Sequence, residues 1–179
     1  MDKIKNETCP VCLKKTLTLT EDEMDIPYFG KTYIFAMKCK CGYAQSDIEA
    51  EEKKEPCRIE FTVENKKDLA VRVVKSSEAT VKIPQLKMDV TPGVASEGYV
   101  SNVEGLLVRF KKILENERDN AEDDDIRKKA KNLLKKLWKV ELGEESLKIL
   151  IEDPSGNSAI ISEQTIIEKL KAEKKTKKK

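Results

Sequence analysis

The sequence predicts an α+β protein that is mostly β, in which a small four-cysteine ribbon precedes a larger β domain carrying a helical hairpin. Four of the five cysteines lie in two close pairs within the first 42 residues. Short β-branched runs recur between residues 58 and 90, and after residue 101 the apolar period becomes that of a helix. A chain of 179 residues has room for one domain or two small ones.

Composition limits the chemistry that this chain can perform. Charged residues make up 38% of the sequence and aromatic residues 5%, which predicts one modest core beneath a heavily charged surface. Histidine is absent, and this excludes catalytic triads, facial metal triads and general bases that depend on an imidazole. A bound metal must therefore be held by sulfur or oxygen.

Nothing in the sequence predicts contact with a membrane. The segment before Cys9 is polar and lacks the apolar stretch of a secretion signal. No run approaches the ~18 apolar residues of a membrane-spanning helix. We expect a soluble, cytoplasmic protein.

The two cysteine pairs predict a structural zinc site. Cys9 and Cys12 form a C-x-x-C turn, Cys39 and Cys41 form a C-x-C turn, and 26 residues separate the two pairs. Such pairs can place four thiolates tetrahedrally around one Zn²⁺. The second pair is one residue shorter than usual, and Gly42 follows it where a tight turn favours positive φ.

Three alternatives compete with a four-cysteine zinc site. Disulfides are disfavoured in a cytoplasmic chain. A redox dithiol would open a helix, whereas residues 13–20 have the pattern of a strand. Cys57 could supply a ligand if the short pair used one sulfur, although a small residue at a strand entrance is the simpler interpretation.

The predicted organisation has four parts. A zinc ribbon spans residues 1–48, with strands at 17–20 and 28–37 and a polar stretch at 21–25 between them. A linker covers 49–57, and a β domain of sandwich or barrel type covers 58–168. Residues 169–179, with seven Lys and one Glu, are expected to be a disordered basic tail.

Two amphipathic helices are predicted at about 101–140, joined by an acidic loop. Ser101 to Glu104 has the form of a capping box. Residues at helical spacing form two apolar stripes, and we assign them, with Phe110 and Trp138 among them, to the core: Val103, Leu106, Leu107, Phe110, Ile113 and Leu114, then Ile126, Ala130, Leu133, Leu134, Leu137 and Trp138.

Several motifs, in order along the chain, resemble the ZPR-type zinc-finger family. They are Cys9-Pro10-x-Cys12, Ile26-Pro27-Tyr28-Phe29-Gly30-Lys31, Cys41-Gly42-Tyr43, Ser76-Ser77-Glu78-Ala79-Thr80, Ile83-Pro84, Val103-Glu104-Gly105-Leu106 and Asp153-Pro154-Ser155-Gly156-Asn157-Ser158. The resemblance implies a four-cysteine zinc finger and a double-stranded β-helix, or jelly-roll-like, domain with a helical hairpin. It also implies one copy of a module that eukaryotic members carry twice and use to assist folding of elongation factor one-alpha.

We expect a zinc-dependent, non-catalytic binding or chaperone-like factor whose partner is a translation GTPase. Four thiolates leave the metal no open position for chemistry. Tyr28 and Phe29 are candidate partner anchors, with packing inside the protein as the alternative. The turn containing Asp153, Gly156 and Asn157 is a second candidate, because such a turn can expose backbone donors and acceptors.

Binding to RNA or the ribosome is the alternative function. Residues 1–48 hold seven bases and seven acids, and four thiolates with Zn²⁺ add two negative charges. The ribbon is then slightly anionic where a phosphate-binding face should be cationic. Nucleic-acid contact is therefore expected only through the lysine-rich tail.

Overall fold

The computed structural model describes residues 2–26, 30–50, 54–94 and 96–170. Its described residues up to 50 form one antiparallel sheet, here called the cysteine ribbon. Residues 57–170 form two further sheets and two helices, here called the β domain. The α+β, mostly β class predicted from the sequence is confirmed.

The cysteine ribbon has four strands in sequential order, where two were predicted. The strands are β1 (Asp2–Thr8), β2 (Lys15–Ile26), β3 (Gly30–Cys39) and β4 (Ala44–Ala50). β2 continues through residues 21–25, so the expectation of a polar interruption there is wrong. The alternating pattern fails because these strands are largely solvated on both faces. β4 ends two residues inside the predicted linker.

The ribbon has almost no core of its own. Among the ribbon residues whose burial the structure describes, only Cys9, Leu17 and Thr32 are buried. Apolar burial of this extent cannot offset the conformational entropy of ordering four strands. Another source of stability must hold the ribbon together.

The β domain is built from eight antiparallel strands: β5 Cys57–Val63, β6 Arg72–Lys75, β7 Thr80–Ile83, β8 Met88–Val90, β9 Tyr99–Asn102, β10 Leu147–Asp153, β11 Ala159–Ile160 and β12 Ile166–Lys169. They form a five-stranded sheet in the order β12-β5-β10-β7-β8 and a three-stranded sheet in the order β11-β6-β9. Two short 3-10 helices, Lys66–Ala70 and Pro84–Leu86, connect strands.

The predicted helical hairpin is present as α1 (Val103–Asn120) and α2 (Asp124–Leu142). The cap of α1 is Asn102, whose side-chain oxygen accepts from the Gly105 N–H at 2.8 Å, one residue later than the predicted capping box. Asp123 caps α2 by accepting from the Asp125 N–H at 2.7 Å. The acidic loop thus places carboxylates at a helix N-terminus, where the helix dipole favours them.

One continuous core joins the helices to the sheets, and it includes Phe110 as predicted. Trp138 is 54% exposed, so its assignment to the core is wrong. Its neighbour Leu137 is fully buried, and one residue further along a helix turns the side chain by about 100°. Ile113 and Ile126 are also exposed, at the edges of their stripes.

The end of the described chain departs from the predicted tail. Lys169 lies in β12, and the Leu170 N–H donates to the Pro56 carbonyl at 2.9 Å, so the sheet extends into the range assigned to the tail. Residues 171–179, like Tyr28 and Phe29, lie outside the described residues. Neither described helix is long and apolar enough to cross a membrane.

Candidate functional site

Four cysteine sulfurs meet at one end of the ribbon sheet. The Sγ atoms of Cys9, Cys12, Cys39 and Cys41 all lie within 4.8 Å of one another. Cys9 and Cys41 are separated by 3.8 Å, and Cys12 and Cys39 by 3.7 Å. A regular tetrahedron with metal–sulfur bonds of ~2.3 Å has edges of about 3.8 Å. The sulfur cluster therefore has the dimensions of a tetrahedral metal site.

Tight turns bring the two cysteine pairs to this spacing. In the first turn the Cys9 N–H donates to the Lys14 carbonyl and the Leu13 N–H to the Cys9 carbonyl, with Leu13 at φ 59°. In the second, the Gly42 N–H donates to the Cys39 carbonyl at 3.1 Å, and Gly42 has φ +93°. The positive φ predicted for Gly42 is confirmed. It lets the shorter C-x-C pair close its turn.

Hydrogen-bond donors favour the ionised form of Cys39. The backbone N–H of Cys41 and the hydroxyl of Thr16, whose Oγ1 lies 3.1 Å from the Cys39 Sγ, lower the pKa of Cys39 to about 6. The thiolate is the form that binds a metal. The sequence interpretation missed Thr16. The only sequence feature that could have indicated the role of Thr16 is a hydroxyl side chain at the start of the strand that follows the first cysteine turn.

Cys57 lies apart from the sulfur cluster, at the start of β5 in the β domain. Burial, with a smaller contribution from the negative charge of Asp153, raises the pKa of Cys57 to about 11, which keeps it a thiol. Sulfur separations of 3.7 Å and 3.8 Å are far longer than a ~2.05 Å disulfide bond. The chain after Cys12 continues into a strand, so the helix of a redox dithiol is absent there.

The turn after β10 is buried, so the expectation that it exposes backbone groups is wrong. Asp153 is fully buried and accepts from the Ser155 N–H at 2.8 Å, the Ser155 hydroxyl at 2.7 Å and the Ser158 hydroxyl at 2.5 Å. The Ser158 oxygen also accepts from the Ser76 N–H at 3.0 Å. The carboxylate thus organises the turn and ties it to the end of β6.

Gly156 and Asn157 belong to the same buried turn. Gly156 has φ +70°, and a Cβ built there would lie 2.4 Å from the Glu55 carbonyl oxygen. The Lys54 N–H donates to the Ser155 carbonyl at 3.0 Å, so the segment entering the β domain packs directly on the turn. Asn157 is buried, and its Oδ1 has no hydrogen-bond partner among the described residues.

One face of the ribbon carries an exposed apolar groove. Ile4 of β1, Leu19 of β2 and Met37 of β3 are direct neighbours across the strands, with Phe35 two residues from Met37. Together with nearby residues they line a groove of about 280 Å³. Ile4 is 57% exposed and Phe35 is 37% exposed. Exposed apolar surface of this kind is a candidate interaction site.

The sulfur cluster on a small sheet, joined to a mostly β domain with a helical hairpin, defines a four-cysteine ribbon protein of the α+β class. A family model of the ZPR1 jelly-roll domain matches residues 67–179. An uncharacterized ZPR1-like protein of Methanocaldococcus jannaschii is 40% identical over 165 residues, which cover 91% of this chain and 83% of that protein. The chain belongs to the ZPR1 family, as its motifs indicated.

Two further relatives extend the comparison. An uncharacterized ZPR1-like protein of Pyrococcus horikoshii is 39% identical over 178 residues, covering 97% of this chain and 80% of that protein. The zinc finger chaperone zpr1 of Schizosaccharomyces pombe is 29% identical over 140 residues, covering 75% of this chain and 30% of that protein. The chain thus corresponds to most of each archaeal relative and to less than a third of the fission-yeast chaperone.

Proposed function

We propose that this protein is a zinc-binding, non-catalytic, chaperone-like factor that binds a translation elongation GTPase of the elongation factor one-alpha type in the cytoplasm. Relatives that are named zinc finger protein and zinc finger chaperone support the class. The family resemblance supplies the kind of partner. The exposed apolar groove of the ribbon is the observation that carries the proposal, because a chaperone-like factor needs accessible apolar surface.

One structural Zn²⁺ held by Cys9, Cys12, Cys39 and Cys41 is part of the proposal. An all-sulfur tetrahedral donor set suits zinc, which imposes no geometry of its own. Bound there, zinc supplies a closed, redox-inert crosslink between the two turns. The described residues hold no second cluster of potential metal ligands. In this assignment the metal builds the surface that binds the client and takes no part in chemistry.

The groove should bind the client directly. Replacing Ile4 and Phe35 together by Ser should weaken binding to the purified elongation factor at least tenfold, because polar side chains remove apolar burial at the contact. Titration calorimetry measures the affinity. Val94→Ser, which changes an exposed apolar side chain of the β domain, is the matched control. Unchanged affinity of the Ile4/Phe35 variant would contradict the proposed groove contact.

Tyr28 and Phe29, which lie between β2 and β3 in the chain, are also proposed as anchors for the client. Replacing both by Ala should reduce client affinity while zinc content and the melting temperature stay unchanged. An equal loss of stability would instead assign the two rings to packing inside the protein.

RNA binding is the second candidate, and an exposed aromatic side chain on a basic helix face favours it. Lys131 and Lys135 precede Trp138 by seven and three residues on α2, which places the three on one face. Aromatic stacking with basic side chains is typical of single-strand binding. Salt-dependent retention of RNA should fall several-fold in Trp138→Ala with residues 171–179 intact. Retention that depends only on those residues would leave the helix without an RNA role.

A further inference from the structure

We infer that a pocket between the cysteine ribbon and the β domain binds a small organic molecule carrying a phosphate monoester. The pocket has a volume of about 650 Å³, within the usual range for small-ligand sites. Ser46 of β4 lies on its ribbon side, and residues of β6 to β9, of the loop before β9 and of α1 supply the rest of the wall. Phe110 contributes to an apolar floor.

The deepest cation in this pocket is Lys75. It is only 5% exposed, and among the residues that the structure describes its ammonium makes one hydrogen bond, to the Ser76 carbonyl at 2.9 Å. An ammonium has three donors, so two remain for a ligand. The Asp153 carboxylate, which also acts on Lys75 electrostatically, accepts its hydrogen bonds from Ser155 and Ser158. A buried charge with spare donors is costly unless an acceptor enters the cavity.

Two more cations complete the basic wall. The Arg109 guanidinium stacks on the Tyr99 ring at 4.0 Å from its centroid, and the Lys75 ammonium lies 5.8 Å from the same centroid. Tyr99 thereby holds both cations beside the pocket by cation–π attraction. Lys112 lines the rim one helical turn after Arg109. In the described part of the chain no carboxylate forms an ion pair with Arg109 or Lys112.

The charge of the lining favours phosphate over carboxylate. Among the lining residues three cations, Lys75, Arg109 and Lys112, stand against one carboxylate, Glu97, so the lining itself carries +2, and the nearby Asp153 carboxylate offsets part of this charge at Lys75. A phosphate monoester carries about −1.5 to −2 at pH 7, whereas a carboxylate carries one negative charge. Arginine also matches the fork geometry of phosphate oxygens. The apolar floor and the volume leave room for the organic part of the molecule.

A ligand in this pocket would contact both parts of the protein. The Gly98 N–H donates to the Asp47 carboxylate at 3.0 Å, and the Gln45 side chain hydrogen-bonds Glu97, so β4 already contacts the loop that forms one wall. This inference is independent of the proposed client. A phosphorylated small molecule would add cross-links between the ribbon and the β domain.

Titration calorimetry with adenosine 5′-monophosphate and glucose 6-phosphate tests the site, with adenosine, inorganic phosphate and citrate as comparisons. We expect saturable binding of at least one phosphate ester and none of adenosine. Arg109→Gln and Lys112→Gln should each weaken it about tenfold, while Lys128→Gln, on the exposed side of α2, should not. Arg109 and Lys112 are exposed, so these variants should keep their fold.

Lys75→Met tests the buried ammonium and should also weaken binding, provided that circular dichroism shows a native melting curve. If neither phosphate ester binds, the inference is overturned. If inorganic phosphate binds as tightly as the phosphate esters, the requirement for an organic part is overturned. If citrate binds as tightly as the esters, the preference for phosphate is overturned. Equal losses in Lys128→Gln and Arg109→Gln would mean attraction by overall charge and would overturn the pocket.

Discussion

Replacing Cys39 by Ser should abolish zinc binding and unfold the cysteine ribbon while the β domain stays folded. The ribbon has three buried residues among those whose burial is described, so zinc is its main source of stability in our proposal. Structural zinc sites of this kind contribute about 10–16 kcal/mol of binding free energy, which is also folding free energy. A strong chelator added to the wild type should have the same effect.

The β domain should survive because its core is independent of the ribbon. No described residue before Cys57 belongs to that core cluster, which joins both sheets to the helical hairpin. Elemental analysis measures the zinc content, with about one ion expected per wild-type chain. Both described helices lie in the β domain, so ellipticity at 222 nm reports its folding, as does the single tryptophan, Trp138.

Cys57→Ser is the matched control for the metal site. Cys57 lies outside the sulfur cluster, so this variant should keep its zinc. Loss of zinc in Cys57→Ser with retention in Cys39→Ser would overturn the ligand set. Loss of the helical signal together with the ribbon would show that the two parts fold as one cooperative unit.

The sulfur cluster and the helical hairpin could be predicted because short segments of the sequence specify each of them. Two cysteines in a tight turn, and a glycine where φ is positive, specify the metal turns within a few residues. Apolar residues at helical spacing specify α1 and α2. That reasoning fails at Trp138, because a stripe wide enough to include it exceeds the face of α2 that packs on α1 and on the 3-10 helix Lys66–Ala70.

Other features could not be predicted, because long-range pairing creates them. β1 is exposed along its length and follows no alternation, so only its ladder with β2 identifies it as a strand. The pocket between the cysteine ribbon and the β domain brings together Ser46, Lys75, Tyr99 and Arg109, which are distant in the chain and which no motif connects. The composition of the turn at residues 153–158 is that of a surface loop, and only the packing of the chain against it makes it buried.

Replacing Asp153 by Ala should lower the free energy of unfolding by about 3–5 kcal/mol, because a buried, hydrogen-bonded carboxylate is lost and its partners remain buried. The change removes the acceptor for three hydrogen bonds from Ser155 and Ser158. It also removes the negative charge that favours the buried Lys75 ammonium. For a protein of this size the melting temperature should fall by about 6–20 °C.

Glu152→Gln is the matched control, since Glu152 is the preceding residue of β10 and its carboxylate pairs with Lys82, both side chains being partly exposed to solvent. Loss of a surface ion pair costs about 1 kcal/mol or less. Thermal unfolding followed at 222 nm measures both variants. If the free energy of unfolding of Asp153→Ala instead lies within about 1 kcal/mol of the wild-type value and the variant no longer binds the client, the turn is a binding element. A large loss of stability makes the Asp153 carboxylate the internal support that the structure indicates.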